Sequence, residues 1–271
     1  MLNSKLDNKT IENIKSKARQ KLLEYNKLND VIGIQIFHIL ELQNKVLYYP
    51  IEDEEVWGFS EKIKGRSFVW INTAIDYDKQ IFAAAHELYH LWFENESEVI
   101  LKSDVEEIED GFNQKENELI ANRFAAEFLI NEELLLQETR TYGINKNKLD
   151  LKDILKLSHL FVVPYKTMLR RLYEVDLLSK DEFTVFMNYS SDEIKIWRKR
   201  LGFSLPVREN KIVFDTLVDN AMQLYESKKI TVQKLEYILG MSNLTLDQMN
   251  IKIEDDYIPP TDEELDKIME E

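Results

Sequence analysis

The run Ile81-Phe-Ala-Ala-Ala-His-Glu-Leu-Tyr-His-Leu-Trp-Phe93 constrains this chain more than any other segment. No Gly or Pro interrupts residues 79 to 94, and Ala83, Ala84, Ala85 and Leu88 are strong helix formers. The run therefore predicts a helix, with Asp76 or Asp78 capping its start. On a helix His86 and His90 stand one above the other on the same face, within reach of a single ion. A neutral imidazole pair is the beginning of a zinc site, and Glu87 is placed to work on a water held there. The plainer alternative is a pair of core histidines, each needing hydrogen-bond partners for both ring nitrogens.

A catalytic zinc takes three protein ligands and leaves one position open, so a third ligand has to come from elsewhere. The metzincin pattern is ruled out, because Phe93 stands where its glycine would be and Glu96 where its third histidine would be. In Lys115 to Ile130, Ala121, Phe124, Ala125, Phe128 and Leu129 form a helical apolar stripe whose small members permit close helix contact. Glu118 leads that stripe and Asn122 follows one turn later. A carboxylate at 118 suits the metal, and Asn122 suits the far nitrogen of a ligand histidine. Glu116 is the rival, on another face, while Glu94, Glu96 and Glu98 read as a solvated acidic loop.

His86-Glu-Leu-Tyr-His90 taken with Glu118-x-x-Ala-Asn-x-Phe-Ala-Ala126 resembles the ImmA/IrrE family of zinc metallopeptidases, a branch of the thermolysin-like zincins. The segment Gly65-Arg-Ser-Phe-Val-Trp-Ile-Asn72 is similar to the family's strand ending in Ile-Asn. The resemblance implies His86, His90 and Glu118 as ligands of Zn2+ and Glu87 as catalytic base. It also implies an extended protein substrate beside an exposed sheet edge, for which the strand at 66 to 72 is the candidate. Family members are associated with cleaving helix-turn-helix repressors, which relieves repression in mobile elements or stress responses. One departure is visible: Ile130-Asn131 stand where the family often has proline. Mn2+ or Fe2+ would also suit two imidazoles and a carboxylate. No pattern singles out an oxyanion stabiliser; Tyr89 lies within the motif but reads as a packed side chain.

The 271 residues are enough for a real core and two or three units. There is no run of about 18 apolar residues and no secretory signal at the N-terminus, and cysteine is absent, which together favour the cytoplasm. The formal charge of −15 disfavours general nucleic-acid binding and favours a basic partner.

Along the chain, Thr10 to Asn26 predicts an amphipathic helix, and Val31 to Leu40, Lys45 to Pro50 and Phe68 to Asn72 predict strands. His38 falls in the first of these strands and reads as a packed or exposed side chain. The expected fold is α+β: a small zincin-like core over 1–147, with a few-stranded sheet packed on the two motif helices. A helix-turn-helix-like unit is expected over 148–205 and a C-terminal helical segment with an acidic tail over 206–271. In the middle unit Val162-Val163-Pro164 separates two short helices. Lys166, Arg170 and Arg171 on the second are candidate DNA or partner contacts, although a structural or docking role is preferred for the unit. His159 reads as core. Ile212 to Glu226 and Thr231 to Leu239 predict two more helices, with Gly240 as a stop and an acidic tail from Glu254. Two other functions stand beside a zinc endopeptidase. One is a DNA-binding transcription regulator that uses residues 150–175 beside a structural or vestigial metal core. The other is the toxin of a toxin–antitoxin pair.

Overall fold

The computed structural model describes residues 6–53, 55–63, 65–93, 99–101, 116–145, 149–213 and 216–251. The acidic residues 94, 96 and 98 and the tail from 254 lie outside them. The chain divides into two compact units, Met1–Val213 and Phe214–Glu271. The fold is α+β, as the sequence predicts.

Unit one opens with α1 (Asn8–Glu24), capped by Asp7, whose carboxylate accepts from the Thr10 amide at 2.7 Å. Its buried residues Ile14, Ala18 and Leu22 recur every fourth position, a stripe facing the core. After α2 (Gln35–Glu41) come β1 (Lys45–Tyr49), β2 (Val56–Ile63) and β3 (Arg66–Asn72), then α3 (Tyr77–Phe93) and β4 (Val99–Leu101). With β5 (Lys211–Val213) the described strands form one sheet of order β4-β2-β3-β1-β5. β1 runs parallel to β3, and the other pairings are antiparallel.

Three expectations are corrected. Residues 35–41 are helical, because Ile36, Phe37, Ile39 and Leu40 are buried with helical spacing while Ile34 and His38 face out. In so short and so apolar a run, alternation and helical period select nearly the same residues. Gly33 enters that helix at φ +45°, and a Cβ there would lie 3.2 Å from Val162 Cγ2. Secondly, β3 is no sheet edge, since β1 and β2 flank it. Thirdly, Ile212 belongs to β5 rather than to a helix, pairing with Leu47. Arg208 brings that segment in. Its guanidinium lies 3.9 Å from the Phe37 ring centre and 3.8 Å from that of Tyr48, and it binds Glu41 at 2.7 Å.

Asn72 closes β3 and is fully buried. Its side-chain oxygen accepts from the amides of Ile51 and Ala74 at 2.9 and 3.0 Å. Its nitrogen donates toward the carbonyls of Ile51, Asp53 and Val56 at 3.2, 3.1 and 2.8 Å. One amide thus fixes the path from β1 into β2.

The helices α4 (Glu116–Leu129), α5 (Glu132–Thr141), α6 (Leu151–Phe161), α7 (Tyr165–Glu174), α8 (Lys180–Met187) and α9 (Ser191–Arg200) complete the unit. Asn131, in the place of the expected proline, caps α5 by accepting from the Glu133 amide at 2.9 Å. Val162, between α6 and α7, takes the left-handed conformation at φ 53°. Arg171 on α7 is no surface contact, which corrects its candidacy for DNA or partner binding. It is 1 % exposed and makes two bonds to Glu127 of α4, at 3.0 and 2.8 Å. It also holds Glu174 at 2.8 Å, and Arg123 bridges Glu127 and Glu174. Lys166 and Arg170 are half-buried, with interactions of their own. A second tether joins Arg198 of α9 to the buried Asp78 of α3 at 2.8 Å. His159 stacks on Phe203 with ring centres 4.6 Å apart.

In unit two, α10 (Leu217–Glu226) and α11 (Val232–Met241) share a small core of Ala221, Leu235, Leu239 and Leu246. Thr231 caps α11, but Gly240 lies inside it; Asn243, at φ 56°, takes the left-handed turn instead. Among the described residues no helix is long and apolar enough to cross a membrane.

Removing the Arg171 cation would leave Glu127 buried and charged with only Arg123 beside it. Arg171→Ala is expected to destabilise unit one by about 3–5 kcal/mol in urea denaturation. A loss below about 1 kcal/mol would show that the network carries no such weight.

Candidate metal centre

Helix α3 is buried almost all round, from Tyr77 to His90. Its start is held by Asp76, whose carbonyl accepts from the amides of Lys79 and Gln80, and by the Gln80 side chain, which donates to the Ile75 carbonyl at 2.8 Å. Asp78 lies within the first turn, turned to Arg198. Ala83, Ala84 and Ala85 on α3 and Ala121 and Ala125 on α4 are fully buried, and these small side chains let the two helices pack closely. Beyond the centre Tyr89, Trp92, Phe93, Phe124 and Phe128 form an aromatic cluster. Tyr89 is a packed side chain of that cluster, 4 % exposed.

The close approach brings three side chains to one point. His86 Nε2 and His90 Nε2 are 2.9 Å apart. Glu118 places Oε2 at 3.1 Å from His86 Nε2 and Oε1 at 3.4 Å from His90 Nε2. Ligands held tetrahedrally at about 2.0–2.1 Å from zinc stand roughly 3.3 Å from one another, so these spacings fit a single cation. Among the described residues this is the one cluster of three or more metal-type ligands.

The tautomer agrees. His86 Nδ1 lies 2.9 Å from Asn122 Oδ1, an acceptor, so the ring donates there and its Nε2 lone pair turns toward His90 and Glu118. Lone pairs and a carboxylate converging in a dry interior repel unless protons or a cation lie between them. Burial works against charge on Glu118. The hydrogen bonds and charges of His86 and His90 outweigh it and hold this carboxyl well below the usual carboxylate range.

Glu87 is also fully buried, on the side of α3 that faces β2. Burial pushes its carboxyl up to about 7, against the pull of His86, His90 and the Ser60 hydroxyl, while Glu118 adds to the rise. Neither of its oxygens has a hydrogen-bond partner among the described residues. Gly58 lies beside it: a Cβ there would stand 3.4 Å from Glu87 Oε1, an ordinary contact, and 3.3 Å from the Trp70 carbonyl, a tighter one. The β2–β4 register shifts between Val56 and Gly58, so Trp57 is an extra residue and its ring packs edge-on against Phe82 of α3. Neither Gly58 nor Ser60 was singled out from the sequence. A glycine within the β-rich run Val56 to Ile63 was the available signal, since glycine in a strand marks close approach.

The structure thus gathers His86, Glu87, His90, Glu118 and Asn122, and leaves Lys166, Arg170 and Arg171 in the helical region that follows. A small mixed sheet laid along a buried helix bearing two histidines, with a carboxylate from a second helix, is the frame of a zincin-like metallopeptidase. Residues 41–173 match the IrrE N-terminal-like domain of the Peptidase_M78 family, a span that contains every residue of the cluster. No curated protein matches the chain.

Two outcomes are expected of this centre. Asn122→Ala, which frees the His86 ring, is expected to weaken zinc binding by about 10–100-fold in competition titrations with a chromogenic chelator. Glu87 governs the second. Its folded value of about 7 exceeds the ordinary 4.5, so in the metal-free chain the fold favours the protonated form. That contribution is complete below the ordinary value and is lost as pH rises through about 7. Glu118, shifted down, contributes above its ordinary value and loses that contribution only in acid. Urea denaturation of the metal-free chain between about pH 5 and pH 8 is expected to show a stability loss that Glu87→Gln removes.

Proposed function

We propose that this metallopeptidase-family chain is a zinc-dependent endopeptidase in which His86, His90 and Glu118 hold the ion and Glu87 is the general base. The observation that carries the reading is the convergence of two imidazoles and a carboxylate beside a second, unpartnered carboxylate. Two nitrogens and one carboxylate oxygen form a donor set suited to catalytic zinc, and Mn2+ or Fe2+ would also be accepted. A bound divalent ion supplies a coordinated water acidified to about pKa 7 and polarises the peptide carbonyl. Glu87 accepts the proton of the attacking water and delivers it to the leaving amine. Asn122 keeps His86 in the tautomer that presents Nε2.

The substrate is a protein. The strand passing Glu87 is β2, and beyond it β4 is the outermost of the described strands on that side, so the edge open to an extended segment is that of β4. The resemblance to the ImmA/IrrE family supports a helix-turn-helix repressor as substrate, with cleavage relieving repression in the cytoplasm. The charge of −15 favours a basic target. The burial of Arg171 takes one of three cations from the DNA-binding alternative.

Glu87→Gln is expected to keep its zinc, measured by metal analysis, and to cut candidate repressors at least about 100-fold more slowly. Undiminished cleavage by this variant would overturn the assignment of the base.

A further inference from the structure

Ser60 lies on β2 two residues beyond Gly58, on the same strand face, in register with Val69 of β3. It is fully buried, and its hydroxyl has no hydrogen-bond partner among the described residues. Both carboxylate oxygens of Glu87 are buried in the same condition. A buried hydroxyl left without a partner is worse than a methyl group in its place, so its presence calls for a group to engage. A Cβ built at Gly58 would stand 3.4 Å from Glu87 Oε1, so that oxygen lies beside β2 on the face that Ser60 shares. The Ser60 hydroxyl is also the one β2 side chain that favours the charged form of Glu87.

We propose that Ser60 is a positioning residue for Glu87. Its hydroxyl donates to Oε1, the carboxylate oxygen beside β2, and thereby holds Oε2 toward the point where His86, His90 and Glu118 converge. A carboxylate with one oxygen fixed loses little orientational freedom when it takes a proton from water, whereas an unanchored one swings about its last torsion. The strand's contribution is the hydroxyl of Ser60, which orients the carboxylate. This inference rests on Glu87 acting as the base.

The test compares zinc-loaded wild type with Ser60→Ala, a change small enough for the buried site. One arm measures cleavage of a fluorescence-quenched peptide selected from a random mixture for turnover by the wild type. The kcat of Ser60→Ala is expected to fall on the order of 10–100-fold, with KM and zinc content unchanged. The other arm needs no substrate. It follows the carboxylate stretching band of Glu87 in infrared difference spectra, identified by its loss in Glu87→Gln, and expects Ser60→Ala to shift it. A kcat within about twofold of wild type, a loss expressed in KM or zinc content, or an unmoved band each overturns the proposal. If Glu87→Gln cleaves the peptide as fast as wild type, the peptidase reading fails instead, and the infrared arm still decides whether Ser60 binds Glu87.

Discussion

Close packing of α3 on α4 is the constraint from which the rest of the unit follows. Alanines on both helices remove the bulk that would hold the axes apart, and the approach delivers two imidazoles and a carboxylate into one buried space. Such a gathering of like-signed lone pairs opposes folding in itself. It persists because hydrophobic packing surrounds it: the aromatic cluster at one end of the helix pair and the sheet along one side. Ligand-type side chains fixed in this way by packing would need little reordering to take up a cation.

The later helices contribute through charge as much as through apolar area. Arg171 and Arg198 each carry a guanidinium to a buried carboxylate, on α4 and α3 respectively, and these are the two helices that form the centre. Planar, multiply bonding guanidinium groups fix orientation as well as distance. Arg171, by sequence a candidate surface contact, is therefore an internal strut.

What could be read from the residues alone follows from how local the signal is. The motif helix, the second helix with Glu118 and Asn122, and the strands at 45–49 and 66–72 declare themselves through spacing, caps and β-branched runs. Residues 31–40 mislead because a short, dense apolar run satisfies two periods at once, so the spacing of its apolar residues does not choose between helix and strand. Arg171 misleads because its position on a helix after a turn is equally that of a surface cation; only Glu127, forty-four residues earlier, decides the matter. Gly58 and Ser60 carry no spacing signature, since their roles exist only once β2 is laid along α3.

The amide of residue 72 has a wider consequence. Five backbone groups, four on the route into β2 and one just after β3, depend on one side chain with a donor at one end and an acceptor at the other. Slow hydrolysis to the acid, an ordinary form of chemical ageing, would set a second oxygen against three carbonyls that now receive hydrogen. The floor beneath the reacting groups would then loosen with no change in the gene, so the working lifetime of each molecule is tied to how well that one amide is shielded from solvent.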